Sequence, residues 1–164
     1  MAYAKGTTVT VAKTKAEIEE SLEKFGATSI VIGTQPDRGI VMFELQGRRF
    51  RFTVKYPDLK KFFVFGANRN QHTAKLTDTQ LAQTKLDQCK KERWRLLAML
   101  IKIKLEAIGE VEEKEDRLEL FKNEFLAYTV LPDNSTVGEW AEPHLIEAYK
   151  NNTMLPMLPE GGKK

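Results

Sequence analysis

Residues 40–56 read Ile-Val-Met-Phe-Glu-Leu-Gln-Gly-Arg-Arg-Phe-Arg-Phe-Thr-Val-Lys-Tyr, and this stretch decides the fold. Its first six residues predict a strand, Gln46-Gly47 is typical of a tight turn, and the last nine residues predict a second strand. Because side chains alternate between the two faces of a strand, three apolar residues of the second strand point to a core. These residues are Phe50, Phe52 and Val54. The stretch therefore predicts an antiparallel hairpin with one buried face.

The residues before the hairpin predict two more strands and a helix. The short apolar run 29–33 predicts the first strand of a meander, and the β-branched run 7–12 predicts a separate N-terminal strand. Thr14 and Glu17 form a capping-box pattern, which predicts a helix that begins there and ends at Gly26. The N-terminal part is therefore predicted to be a βαβββ unit that contains an antiparallel meander.

The rest of the chain predicts helices. Thr77 and Gln80 form a capping box before an apolar periodicity that lasts until Gly109, which predicts a long central helix. Further helices are predicted over 118–128 and over 136–149, and Thr136 with Glu139 forms a third capping box at the start of the last one. The predicted fold class is α+β, with the long central helix joining the N-terminal unit to a C-terminal helical part.

The predicted organisation is one domain in two parts, followed by a tail. Residues 1–76 form an α+β basic unit, residues 77–153 form the helical part of the same domain, and residues 154–164 form a proline-containing tail. The tail contains the repeat Met-Leu-Pro-Met-Leu-Pro at 154–159, which cannot be helical because proline lacks an amide donor. It indicates either a segment that binds a protein partner or a strap that covers a groove on its own domain.

Composition argues against several classes of protein. The single cysteine, Cys89, rules out an intrachain disulfide, and the two histidines are too few for a usual structural zinc site. No glycine-rich phosphate loop and no nucleophile elbow is present, so we expect no enzymatic activity, no cofactor and no metal. No secretory signal and no run of about 20 apolar residues is present, so we expect a cytoplasmic protein without membrane contact.

Charge is distributed unevenly along the chain. Residues 38–105 carry 16 basic and five acidic side chains, a net charge of +11, whereas residues 106–147 carry three basic and 12 acidic side chains, a net charge of −9. Such asymmetry is typical of a nucleic-acid surface beside an acidic patch. The alternative is that the two segments pack together and pair their charges.

The clearest functional signal is a basic row on the second strand of the hairpin. Arg49, Arg51 and Lys55 share the face opposite the predicted core, and alternate residues on a strand lie about 7 Å apart. That spacing suits the phosphate backbone of an extended nucleic acid. The alternative is a solvated strand whose cations prevent edge-to-edge aggregation or pair with the acidic segment. The residues predicted to support the row are Lys60, Lys61, Arg69, Arg93 and Arg95.

Aromatic residues near the basic row add to this hypothesis. Tyr56, Phe62 or Phe63 would provide stacking faces for bases wherever they are exposed. Trp94 is predicted to be a core anchor of the long helix, and Trp140 a local anchor of the last helix.

Two functions follow from these observations. The first is a non-enzymatic protein that binds nucleic acid, single-stranded DNA in preference to duplex, with little sequence dependence because no base-reading motif is present. The alternative is a protein-interaction module or inhibitor that uses the acidic segment 106–147, as a mimic of nucleic acid, together with the Met-Leu-Pro tail.

The order of residues near the C-terminus also carries a resemblance. A helix ending near 125–127, then Val-Leu-Pro-Asp at 130–133, Thr-Val-Gly-Glu-Trp at 136–140 and Met-Leu-Pro at 157–159, resembles small uncharacterised proteins encoded in tailed-phage genomes. The resemblance extends to the N-terminal helix and the meander. It implies only a phage or mobile-element setting, in which proteins of this size are often nucleic-acid handlers or inhibitors of host defence. Under the first of the two functions, we expect a role accessory to phage replication or recombination.

Overall fold

The computed structural model describes residues 4–63 and 77–151, and it has the predicted α+β fold. Three strands form one sheet, and four α-helices and two short 3₁₀ turns complete the described part of the chain. In chain order, the elements are α1 (Val11–Lys24), β1 (Thr28–Thr34), β2 (Arg38–Leu45), β3 (Arg48–Lys55), a 3₁₀ turn (Leu59–Phe62), α2 (Asp78–Gly109), α3 (Lys114–Phe125), a second 3₁₀ turn (Leu126–Tyr128) and α4 (Val137–Lys150).

The sheet is the predicted antiparallel meander, with strand order β1-β2-β3. Its tightest connection is the Gln46-Gly47 turn, where both residues have positive φ, 52° and 72°. Two such residues in succession match the twist of a hairpin, and glycine tolerates that conformation without steric cost. The turn fixes the register so that Leu45 pairs with Arg48 and Phe43 with Phe50.

The N-terminal strand predicted over 7–12 is not present. Residues 7–10 are neither helix nor strand, and α1 begins at Val11. Thr10 is the actual N-cap, because its side chain accepts a hydrogen bond from the backbone N–H of Lys13. Thr14 therefore lies one turn inside the helix and is fully buried, so the prediction that it caps α1 is wrong. The N-terminal unit is αβββ.

One face of the sheet forms the hydrophobic core. Val41 and Phe43 of β2, together with Phe50, Phe52 and Val54 of β3, are all buried. The alternation predicted for β3 is therefore confirmed. The helices contribute buried residues to the same cluster: Ile18 and Leu22 from α1, Trp94, Ile101 and Leu105 from α2, and Phe121 and Phe125 from α3.

Trp94 is a core anchor, as predicted. Its side chain is completely buried, and its indole N–H donates a hydrogen bond to the Tyr56 hydroxyl at 2.6 Å. The indole packs directly on Gly39 of β2, where an added Cβ would overlap the ring. The glycine thus allows α2 to lie close against the sheet.

The long helix and the last helix follow their predicted boundaries, whereas α3 begins four residues before the predicted 118 and gives way to a 3₁₀ turn at Leu126. The capping boxes at Thr77 and Thr136 are both formed, each with its side chain and its N3 partner bonded reciprocally. Pro143 lies inside α4 without ending the helix. Among the helices of the described ranges, none is long and apolar enough to cross a membrane.

Candidate nucleic-acid interface

The predicted basic row lies on the sheet face opposite the core. Arg49, Thr53 and Lys55 are exposed on β3, whereas Arg51 is half-buried. In register with Arg49, Arg51, Thr53 and Lys55 on β2 lie Glu44, Met42, Ile40 and Arg38, and Arg38 forms an ion pair with Asp37. The outer face is therefore not uniformly basic, since its centre is apolar and one carboxylate lies opposite Arg49.

Arg51 is bonded within the protein. Its guanidinium lies 2.5 Å from a carboxylate oxygen of Glu139 and donates a hydrogen bond to the carbonyl oxygen of Asn134 at 2.7 Å. Its side chain is only 20% exposed. These bonds fasten the first turn of α4 to β3, so Arg51 acts mainly as a structural connection.

The same contact changes the acidity of Glu139. Its carboxylate accepts a hydrogen bond from the Thr136 backbone N–H at 2.8 Å, which is the main cause of a lowered pKa. The Arg51 charge lowers the pKa further, and partial burial opposes both effects. Glu139 is thus the point at which the basic row meets the acidic segment 106–147.

Arg49 lies at one end of the row, beside a cleft of about 430 Å³. The cleft forms where the chain after α3 pairs with the edge of β3, through a Phe50–Thr129 bridge and a hydrogen bond from Val130 N–H to the Arg49 carbonyl. Arg48 and Arg49 both line the cleft, and none of its lining residues is acidic. An anion near Arg49 would therefore meet no competing carboxylate among the residues that line this cleft.

Lys55, Lys60 and Lys61 lie at the other end of the row and are exposed. The two later lysines lie on the 3₁₀ turn, which Asp58 caps by accepting a hydrogen bond from the Lys60 backbone N–H at 2.9 Å. Among the residues that the structure describes, no ion pair involves the side chains of these three lysines. Like Arg49, they are available to an external anion.

The three other residues that were predicted to support the row differ in their positions. Arg93 lies next to the row, because its guanidinium donates a hydrogen bond to the Lys55 carbonyl. Arg95 lies elsewhere, because it forms an ion pair with Glu17 of α1. Arg69 falls outside the described residues.

The aromatic residues do not provide the stacking surface that the sequence suggested. Tyr56 is buried, and burial raises its pKa above the usual value while the hydrogen bond from Trp94 opposes this rise. Phe62 and Phe63 are half-buried. The idea that Tyr56 stacks on bases is wrong, because its ring belongs to the core.

Internal pairing of the two charged segments is partial. Three ion pairs within the described ranges join them: Arg51–Glu139, Lys104–Glu124 and Lys102–Glu106. Glu112, Glu113, Glu115 and Asp116 are exposed and form no ion pair within those ranges. Both a basic and an acidic surface therefore remain on the molecule.

A second surface was not predicted from the sequence. Helix α4 and the Leu126–Tyr128 turn enclose an apolar cleft of about 560 Å³, which we call the α4 groove. The residues that define it are Leu126, Ala127, Ala141, Leu145, Ile146 and Tyr149. The spacing of Ala141, Leu145 and Tyr149 was the available signal, because residues four apart share a helix face.

Trp140 does not anchor α4 as predicted. Its side chain is 55% exposed, and its ring lies 4.7 Å from the ring of His144, measured between centroids.

Acidic, histidine and cysteine side chains do not cluster as metal ligands. No group of three or more of them lies close enough to hold a metal ion in ranges 4–63 and 77–151.

Comparison of this chain with protein-family models, with curated proteins and with solved structures gave no match.

Proposed function

We propose that this protein binds the phosphate backbone of nucleic acid along β3 and the 3₁₀ turn that follows it. The observation that supports the proposal is a set of exposed cations without an internal ion pair in the described ranges. These cations are Arg49, Lys55, Lys60 and Lys61. Arg51 and Arg95 are excluded from the proposed contacts, because each is already paired with a glutamate.

A single strand fits this arrangement better than a duplex. Arg49 and Lys55 are six residues apart on β3, which corresponds to about 20 Å, and a flexible strand can follow a row of that length. Many proteins that bind duplex DNA place a helix with exposed basic residues in its major groove. The basic residues of α2 do not form such a helix, since Lys90, Lys91, Arg93 and Arg95 are half-buried.

We expect binding to depend little on sequence. Contacts to phosphates position a protein but carry no base information. Met42 and Ile40 of β2, together with Val31 of β1, lie beside the row on the outer sheet face and provide an apolar surface for unstacked bases. On the resemblance to phage proteins, we place this activity in a role accessory to phage replication or recombination, without catalysis.

The first prediction concerns the triple variant Arg49→Gln/Lys55→Gln/Lys60→Gln. Each phosphate contact on a single strand contributes about 0.7 to the slope of log affinity against log salt concentration, so losing three contacts lowers the slope by about 2. Fluorescence anisotropy of a labelled single-stranded oligonucleotide, titrated at several salt concentrations, measures this slope. Duplex of the same length measures the strand preference.

The matched control removes three positive charges elsewhere. Lys13, Lys85 and Lys122 are exposed on three different helices, and their change to glutamine leaves the net charge equal to that of the first variant. The proposal requires the control to keep most of the wild-type slope. Equal effects of both variants, or no binding by the wild-type protein at low salt, would contradict it.

A second candidate function is an acidic interaction surface. Glu112, Glu113, Glu115 and Asp116 lie together at the α2–α3 connection, exposed and unpaired within the described ranges. Such a surface can occupy the nucleic-acid site of a basic protein. In that case the oligonucleotide titration shows no binding, whereas neutralising these four carboxylates abolishes the interaction with the basic partner.

A further inference from the structure

The α4 groove is an apolar surface without an occupant among the described residues. None of the 14 residues of α4 is buried. Leu126, Leu145 and Ile146 are each about half exposed, and Tyr149 is 65% exposed. Because these side chains line one cleft, they form a continuous patch, and continuous exposed apolar patches mark binding surfaces.

The shape of the groove is set where α4 begins. An added Cβ at Gly138 would lie 3.0 Å from the Ala127 carbonyl oxygen, so α4 starts in close contact with the preceding turn. The cleft between them is lined mainly by apolar side chains, and its polar side chains are Asn123 and Glu142. A suitable occupant is therefore an apolar segment that needs few hydrogen bonds from its surroundings.

The chain carries such a segment immediately after α4. Residues 154–159 read Met-Leu-Pro-Met-Leu-Pro, and the two prolines have no backbone N–H to satisfy. A polyproline II segment has three residues per turn, so a three-residue repeat presents its two leucines on one side. Unbranched methionine side chains adapt to an irregular apolar surface. The segment thus matches the groove in polarity and in hydrogen-bonding requirement.

The segment is also long enough to cover the groove, starting from the C-terminal end of α4. The groove extends along α4 from Gly138 to Tyr149, which corresponds to about 17 Å of helix. Six residues, 154–159, span about 19 Å in the polyproline II conformation. They are therefore long enough to follow α4 back over the whole groove, and residues 152–153 remain for the change of chain direction.

We propose that residues 154–159 dock in the α4 groove of the same molecule. The two-residue connection, 152–153, gives the segment a high effective concentration at its own groove, which favours this over docking on a second copy. The proposal does not depend on nucleic-acid binding, because the cations of the basic row are not among the groove residues.

A spin label tests the proposal in the full chain. The nitroxide is attached to the cysteine of a Gly161→Cys variant, next to the repeat. Cys89→Ala removes the native thiol, so that the label has one site of attachment. Docking predicts a loss of amide peak intensity for residues of α4, such as Ala141 and Leu145, relative to the same sample after reduction of the label. Lys13 on α1 provides a reference amide that keeps its intensity.

Two tail variants distinguish docking of the tail from random encounters between the spin label and α4. Leu155→Asp/Leu158→Asp places charges in the apolar groove and restores the α4 intensities. Thr153→Asp/Gly162→Asp adds the same charge to the tail without changing the repeat, so the intensity loss remains. Equal losses in the wild-type tail and in the Leu155→Asp/Leu158→Asp variant, or no loss on α4 at all, would overturn the proposal.

A mixed sample identifies the molecule that supplies the tail. Isotope-labelled protein without a nitroxide is combined with unlabelled protein that carries it. Docking within one molecule predicts no intensity loss in this sample. An intensity loss on α4 would show that the tail of a second copy occupies the groove, and the proposal would be wrong.

Discussion

Arg49 and Arg51 lie two residues apart on β3, yet their surroundings give them different roles. Arg49 is exposed beside a cleft without acidic lining residues, whereas Arg51 is held by Glu139 and the Asn134 carbonyl. The alternation of the strand places both on one face, but the position of α4 decides which of them is available. A residue's chemical type is therefore not sufficient to assign it to the interface.

The second prediction concerns Glu139→Gln at different pH values. Glutamine can still cap the Thr136 N–H, but the variant loses the charge that faces Arg51. Because the folded protein lowers the Glu139 pKa, its carboxylate contributes stability above the usual value of 4.5, and that contribution is lost as the pH falls through the folded-state pKa. The side chain is 55% exposed, so we expect a cost of only about 1 kcal/mol at pH 7, which disappears on acidification.

Urea unfolding at pH 7 and at pH values below 4.5 measures this difference. Glu119→Gln on α3 is the matched control, since its side chain is exposed and forms no hydrogen bond or ion pair in the described ranges. A cost for Glu139→Gln that stays constant with pH would contradict the assigned contact.

At the scale of elements, the start of α1 shows that moving a helix start by one turn changes the role of a residue from cap to buried side chain. Thr10 and Thr14 are both acceptable caps, and the capping-box pattern with Glu17 favours the second. The structure uses Thr10, and the Thr14 hydroxyl is buried without a hydrogen-bond partner among the described residues. Starting at Val11 adds one turn to the helix, in which Val11 packs against the core and Thr14 continues the buried face of Ile18 and Leu22.

The third prediction is that Thr14→Val stabilises the protein. Valine has nearly the shape of threonine and removes a buried hydroxyl without a partner, a group that costs about 1–3 kcal/mol to bury. We therefore expect a gain of about 1 kcal/mol in the free energy of unfolding. Thr10→Ala removes the true cap and should cost about 1 kcal/mol.

The midpoint of urea unfolding measures both effects, provided that the m-value of each variant equals that of the wild-type protein. Thr79→Val, at an exposed position in α2, is the control and should change stability little. If Thr14→Val destabilised the protein as much as Thr10→Ala, Thr14 would have to be the cap.

At the scale of the whole molecule, one aromatic cluster connects the two predicted parts. Phe125 of α3 is completely buried, with ring centroids 6.3 Å from Phe43, 5.4 Å from Phe50 and 6.0 Å from Phe52. The buried cluster contains residues of α1, β2, β3, α2 and α3. A core shared in this way predicts that the sheet and these helices unfold together.

The fourth prediction is that Phe125→Ala destabilises the sheet and the helices equally. Removing a buried phenyl ring costs about 3–5 kcal/mol, and Phe125→Leu should cost less. In a Trp140→Phe background, Trp94 fluorescence reports the sheet–α2 contact, and far-UV circular dichroism reports the helices. Both signals should give the same urea midpoint in every variant.

Leu118→Ala provides the control on the same helix, because its side chain is 40% exposed. It should shift both midpoints only slightly. Separate transitions for the two signals would mean that residues 1–76 and 77–153 do not form one cooperative unit.

The sequence alone determined the meander, the buried face of β3, the long helix and two of the three predicted capping boxes. These features depend on local periodicity, on turn residues and on side-chain bonds within four residues, all of which can be read along the chain. The same local rules placed the first strand and the first cap incorrectly, because a short β-branched run carries little information without a neighbouring strand to pair with.

Only the tertiary structure decided which charges are available and which apolar surface is open. Arg51 meets Glu139 across 88 residues, and Arg95 meets Glu17 across 78 residues, so no local pattern could indicate either pair. Tyr56 differs, because the alternation along β3 already places it on the core side with Val54, and only its hydrogen bond from Trp94 needed the tertiary structure. The basic row on β3 follows from residue order alone, but its accessible members and the α4 groove follow from how distant elements pack.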